Sequence, residues 1–221
     1  MAATIFHLEK TGRIFRYMII SLHTKNPNMR DLKRVLEILD KDGVIIIPTD
    51  TIYAMACRLD SKKGIERMSK IMGKKAEKVF YSILCSDLSN ISDVTATIDK
   101  NVFRLLKNNL PGPFTFILKA NNQISKYFAG NRKSIGIRVP DNVIAQSIIR
   151  ELGVPLVVST IHHDDEIIEY MTDPEEIHYK FEHLVDLVVD GETGDNVPST
   201  IVDCTGEDPI VVREGKGQIN F

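Results

Sequence analysis

The sequence predicts an α/β chain built as one mixed sheet flanked by helices, and three observations carry that expectation. Short apolar, β-branched runs alternate with stretches whose apolar residues recur at helical spacing along most of the chain. The last strand candidates lie too close together for helical crossovers, so some antiparallel pairing joins the parallel kind. A length of 221 residues suffices for one sizeable core, and no linker long enough to divide it is present.

Element by element, residues 1–17 show no sustained period and carry Lys10, Arg13 and Arg16. They read as a flexible arm or as residues ahead of a start at Met18; residues 1–25 are set apart as an N-terminal extension, and residues 26–221 as the domain. Met29, Leu32, Val35, Leu36 and Leu39 mark one face of a helix over 28–39, with Gly43 as a stop. Val44–Ile47 follows as a buried strand ending at Pro48. A helix over 64–72 leads to a strand at 81–85, and a helix over 101–110 is stopped by Pro111-Gly-Pro113 before a strand at 114–118. The strand 134–139 precedes a helix over 143–152 that ends at Gly153. After an apolar run at 156–159, Thr172-Asp-Pro-Glu175 has the form of a capping box opening a helix to about His183. Strands at 184–189, 200–202 and 210–212 close the chain.

Composition narrows the function classes. With 43% hydrophobic and 26% charged residues the chain is ordinary for a soluble protein. Its apolar runs are too short to span a bilayer, and no secretory leader is recognisable. Three cysteines, Cys57, Cys85 and Cys204, form no CxxC pair, which points to a reducing compartment and a cytoplasmic location. Charge is unevenly spread: residues 1–160 hold 25 Lys and Arg against 14 Asp and Glu, and residues 161–221 hold 3 against 16. The first part therefore suits a phosphate-bearing partner, although acidic residues covering solvated C-terminal helices and loops would give the same count.

Several clusters can carry chemistry, and each also has a plainer account. Pro48-Thr-Asp-Thr-Ile-Tyr53 places hydroxyls and a carboxylate where a buried strand ends, the place where ligands collect in open α/β sheets; such residues also cap turns. Lys70, Lys74, Lys75 and Lys78 surround Gly73 and suit a triphosphate, or simply a solvated loop, and no GxxxxGK[ST] is present. Arg138 ends the apolar Ile135-Gly-Ile-Arg-Val-Pro140 segment, where an unpaired charge is costly to bury, so it pairs within the protein or faces a carboxylate or phosphate. Pro111-Gly-Pro-Phe-Thr115 sets a hydroxyl at the entry of a strand. Ser159-Thr160 and Ser199-Thr200 stand at the edges of apolar runs. His162-His-Asp-Asp165 matches no standard metal spacing, and no metal is expected there. No nucleophile motif surrounds Cys57 or Cys85.

In this order the pieces resemble the YrdC-like family of threonylcarbamoyl-AMP synthases. The matches are PTDTIY at Pro48–Tyr53, PGPFTFIL at Pro111–Leu118, GIRVP at Gly136–Pro140, VVST at Val157–Thr160, STIVD at Ser199–Asp203 and REG at Arg213–Gly215. The resemblance implies a twisted open sheet with a concave basic face. It also implies a reaction of L-threonine, bicarbonate and ATP, with Mg2+, to threonylcarbamoyl-AMP and pyrophosphate, the intermediate for a modified adenosine of tRNA. On that resemblance Thr51 and Tyr53 position threonine and Arg138 pairs with its carboxylate. Ser199 serves substrate and adenylate alike, and Lys74, Lys75, Thr115, Ser159, Thr160 and Arg213 hold the nucleotide. No residue is assigned a covalent role; rate would come from orientation and charge stabilisation.

Departures from the family pattern point to its YciO branch. The basic loop Lys74-Lys-Ala-Glu-Lys78 lacks the family's Arg and prolines, Asn142 stands at the place of a His, and Ile161-His-His163 replaces Ser-Ala-Asn. The alternative implied is a paralogue without synthase activity that binds nucleotide or double-stranded RNA through a basic concavity.

Overall fold

The computed structural model of the protein describes residues 7–8, 14–15, 18–73, 80–128, 132–161 and 170–221. Two short strands, β1 (His7–Leu8) and β2 (Ile14–Phe15), pair antiparallel with each other. The main sheet begins at β3 (Ile19–Ser21), which lies inside the expected N-terminal extension and ahead of the boundary at residue 26. Helix α1 (Met29–Leu39) starts at Asn28, whose side chain accepts the Asp31 N–H, and buries Leu32, Val35 and Leu39 on one face. Next come β4 (Ile45–Ile47) and β5 (Ala54–Arg58), an antiparallel pair. Ser61 caps α2 (Lys62–Ile71) by accepting the Gly64 N–H, and β6 (Ser82–Leu84) and the single turn α3 (Ile91–Val94) follow.

Asp99 caps α4 (Lys100–Asn109), which leads through Pro111-Gly-Pro113 into β7 (Phe114–Lys119). After β8 (Ser134–Arg138), Asn142 caps α5 (Val143–Leu152), and Gly153 ends it at φ 72°, a left-handed conformation that favours glycine. β9 (Leu156–Thr160) and α6 (Pro174–Phe181) follow. The capping-box pattern puts Thr172 at the start of this helix, but the cap is Asp173: its carboxylate takes the Glu175 N–H and Pro174 fills the first turn. Thr172 is diverted outward, its carbonyl accepting the Gly194 N–H at 2.8 Å. The chain closes with β10 (Leu187–Asp190), β11 (Thr200–Asp203) and β12 (Ile210–Arg213).

Among the described residues ten strands form one open sheet in the order β12-β11-β7-β8-β6-β9-β5-β4-β10-β3. The pairs β11/β7, β8/β6, β4/β10 and β10/β3 are parallel, the others antiparallel, so the sheet is mixed as expected. Both faces are covered. Ile46, Ile83, Val157 and Val188 point into one core, while their neighbours Ile45, Ile47, Leu84, Leu156, Val158, Leu187 and Val189 point into the other, beneath α1 and α5. Among the described residues no helix is long and apolar enough to cross a membrane.

Candidate functional site

The antiparallel register pairs Ile47 with Ala54, so residues 48–53 must reverse the chain between β4 and β5. Thr49 does this locally: its hydroxyl donates to the Ile52 carbonyl at 2.8 Å and accepts the Thr51 N–H at 3.1 Å. The turn thereby presents Asp50 and Thr51 toward the end of β8. There Arg138 Nη2 donates to Asp50 Oδ1 at 2.7 Å and to Thr51 Oγ1 at 2.9 Å. The other Asp50 oxygen accepts the Asp141 N–H at 3.1 Å. Arg138 and Asp50 side chains are 8% and 7% exposed, so this is a buried ion pair. Burial pulls the Arg138 pKa down, with the Asp50 carboxylate opposing that shift and nearby Arg213 adding to it. Its Nε is buried without a hydrogen-bond partner among the described residues.

A second cluster forms where β7, β11 and β12 lie side by side. Thr115 and Ser199 hydroxyls are 2.7 Å apart, and Arg213 donates through Nη2 to the Ser199 carbonyl at 2.8 Å. Register makes this possible, because Ile201 pairs with both Thr115 and Arg213. Gly136 leaves the needed room on the neighbouring strand. A Cβ there would stand 2.7 Å from Ser82 Oγ and 3.0 Å from Thr115 Cγ2.

A cavity of about 750 Å3 opens beside the β4–β5 turn. Its wall includes Thr49, Asp50 and Thr51, Pro113, Asp141 and Asn142, the loop Gly191–Asn196, and Lys216. Tyr53 braces this wall from below. Its hydroxyl donates to the Glu192 carbonyl at 2.7 Å and accepts the Gly191 N–H at 3.1 Å, and burial raises its pKa to about 12. Ser159, at the far end of β9, donates to the Phe80 carbonyl at 3.1 Å, and Thr160 pairs with Ala54. Lys74, Lys75 and Lys78 lie outside the described residues, as do His162–Asp165.

Thus the structure joins Thr51 with Arg138, and Thr115 with Ser199 and Arg213, with the two arginines as electrostatic neighbours. The charged side chains of the cavity wall are Asp50, Asp141, Glu192, Asp195 and Lys216, so among the described residues this wall is mainly acidic. Lys216 and the loop 191–196 are absent from the sequence-based site. The available signal was Gly191-Glu-Thr-Gly194, a polar glycine-rich stretch directly after an apolar run. The described residues contain no group of three or more His, Cys, Asp or Glu able to hold a metal. Cys57 and Cys85 are buried, with thiols pushed up to about 12, and act as packing rather than as nucleophiles.

Comparison with known proteins follows the same lines. The family model Sua5/YciO/YrdC, described as telomere recombination, matches residues 37–215. Protein YciO of Escherichia coli, named as uncharacterized, is 38% identical over 200 residues, covering 90% of this chain and 95% of YciO. Its crystal structure superposes with a TM-score of 0.83 over 91% of this chain and 97% of YciO, at 37% identity. The threonylcarbamoyl-AMP synthase of Bacillus subtilis is 24% identical over 208 residues, 93% of this chain and 58% of the synthase. The P. abyssi Sua5 structure, a complex with L-threonine, gives a TM-score of 0.80 at 20% identity, over 90% of this chain and 57% of Sua5, a likeness of fold.

Proposed function

The chain belongs to the Sua5/YciO/YrdC family, and on that premise we propose that it is a nucleotide-dependent synthase of the threonylcarbamoyl-AMP type. Such an enzyme joins L-threonine, bicarbonate and ATP into threonylcarbamoyl-AMP, releasing pyrophosphate and water. The observation that carries the reading is the closeness of two polar clusters at strand ends, Asp50-Thr51-Arg138 and Thr115-Ser199-Arg213, which meet through their two arginines while Asp50 and Thr51 line the cavity. Further support comes from the name of the B. subtilis relative and from the threonine held by the P. abyssi protein of the same fold.

In this reading the chain's own groups act by binding and orienting. Thr51 offers a hydroxyl to threonine, and Arg138, tied to both Asp50 and Thr51, supplies the positive charge that draws its carboxylate. Thr115 and Ser199 offer hydroxyls to the adenylate, with Arg213 fixing the Ser199 backbone. Ser159 and Thr160 extend the nucleotide wall, and Lys74 and Lys75 meet its phosphates. Tyr53 acts at one remove, by holding the loop that faces threonine. Mg2+ bound to the phosphates of ATP would draw negative charge from them, with Lys74 and Lys75 as the residues the sequence offers beside it. Holding the three reactants together in attack geometry supplies the rate.

The reading is tested by incubating the protein with ATP, bicarbonate and L-threonine and measuring pyrophosphate. Release that requires threonine and yields threonylcarbamoyl-AMP by mass is expected. No release, or release indifferent to threonine, overturns it. A basic concavity for double-stranded RNA gains nothing from this cavity, whose described charges are mostly carboxylates.

A further inference from the structure

We propose that Lys216 is an anion-binding residue of the cavity, reaching a phosphate of the nucleotide from the C-terminal strap; this deepens the nucleotide reading above and rests on it. Lys216 follows the last family motif, Arg213-Glu-Gly215, and nothing in that motif assigns it a role.

Three features of the strap aim this side chain. Gly215 donates its N–H to Thr200 Oγ1 at 2.9 Å, Lys216 donates its N–H to the Pro198 carbonyl at 2.9 Å, and Thr200 Oγ1 donates to the Gly217 carbonyl at 2.6 Å. The flanking glycines make so close a run possible. A Cβ at Gly215 would stand 2.3 Å from the Pro198 carbonyl oxygen, and one at Gly217 would stand 2.5 Å from the Phe114 ring. With its backbone fixed on both sides, Lys216 sends its ammonium over the cavity, where Nζ donates to the Asp50 carbonyl at 2.8 Å and meets Asp195 Oδ2 at 2.7 Å.

The surrounding charges give that ammonium its importance. Among the described residues it is the one cation on a wall that also carries Asp50, Asp141, Glu192 and Asp195. Asp50 is already neutralised by Arg138. A triphosphate entering this cavity meets repulsion from the remaining carboxylates unless a cation faces it. An ammonium has three donors, and two are accounted for, leaving one for a ligand oxygen. The side chain is 42% exposed, so that donor is within reach of a ligand. Asp195 competes with the ligand for the same charge and keeps the ammonium in place when no anion is present.

The competition gives opposite signs to two variants, which a merely structural tie between the strap and the 191–196 loop does not. Calorimetric titration with ATP, adenosine and pyrophosphate reads them. Lys216→Met is expected to weaken ATP binding by about tenfold or more, the scale of one lost charge-assisted hydrogen bond, and to leave adenosine binding unchanged. Asp195→Asn is expected to tighten ATP binding severalfold. If both variants shift ATP affinity in the same direction, the pair is a latch and the proposal fails. Unchanged ATP binding by Lys216→Met also overturns it, while the nucleotide reading stands. If the native protein binds no ATP, the nucleotide reading fails and pyrophosphate decides. Pyrophosphate binding that Lys216→Met loses upholds the anion site, and absent or unaffected pyrophosphate binding overturns it.

Discussion

At Arg138 the burial of a charge and the demand for a ligand contact act on the same side chain. Of the two kinds of partner open to it from sequence, a group of the protein or a ligand, the structure shows the first in Asp50, while Nε keeps a donor with no partner among the described residues. Arg138→Ala leaves the Asp50 carboxylate, 7% exposed, without its counter-charge. A loss of roughly 3–5 kcal/mol of stability is expected, read from the urea midpoint at constant slope, and a midpoint equal to the native one would show that the pair is solvated. Tyr53→Phe separates bracing from direct contact with substrate. Removing the hydroxyl strips the Gly191 N–H and the Glu192 carbonyl of a partner, so about 1–3 kcal/mol of stability should go without any ligand present. A residue used for substrate alone would leave the unliganded protein's melting unchanged. The cysteines give a third check. With Cys57 and Cys85 thiols near 12 and buried, a thiol reagent at pH 8 should leave both unmodified over minutes in the native protein and modify them in denaturant.

Among the elements, β8 shows how a sequence motif can be visible while its reason stays hidden. The Gly-Ile-Arg-Val-Pro run advertises a strand and an end-of-strand cation, but not why its first residue is glycine. The structure supplies the reason in Ser82 and Thr115, which leave no space for a Cβ at Gly136. Gly136→Val is expected to lower stability by about 1–3 kcal/mol through overpacking and to displace Thr115, weakening nucleotide binding by more than an equally destabilising substitution in α1 would. Helices α1, α4 and α5 were legible because cap and apolar stripe agree at each. β5 was not legible, since Ala-Met-Ala-Cys has neither β-branching nor alternation and becomes a strand through its neighbours β4 and β9. At α6 two polar residues stood in line for one cap, and Pro174 favours Asp173 by occupying the first helical turn.

For the whole molecule, strand identity could be read from apolar runs, but strand order could not. Neighbours such as β7 and β11, or β4 and β10, are joined by contacts that no local pattern announces. The same holds for the site. Thr51 and Arg138 stood out as polar residues at the ends of apolar runs, whereas Asp195 and Lys216 acquire meaning only when the chain closes on Asp50. The interleaved cores predict a gradient of protection: amide hydrogen exchange should be slowest in β6, β8, β9 and β5 and fastest at β12 and β3, the edges of the sheet among the described residues. Equal rates across the sheet would contradict the observed order. The strap that carries Lys216 over the cavity follows, finally, every strand of the sheet in chain order. A nascent polypeptide holds every strand of the sheet before Gly215, Lys216 and Gly217 have been translated. Lys216 is therefore the last residue of the cavity wall to be synthesised, and until then the charged side chains of that wall are all carboxylates.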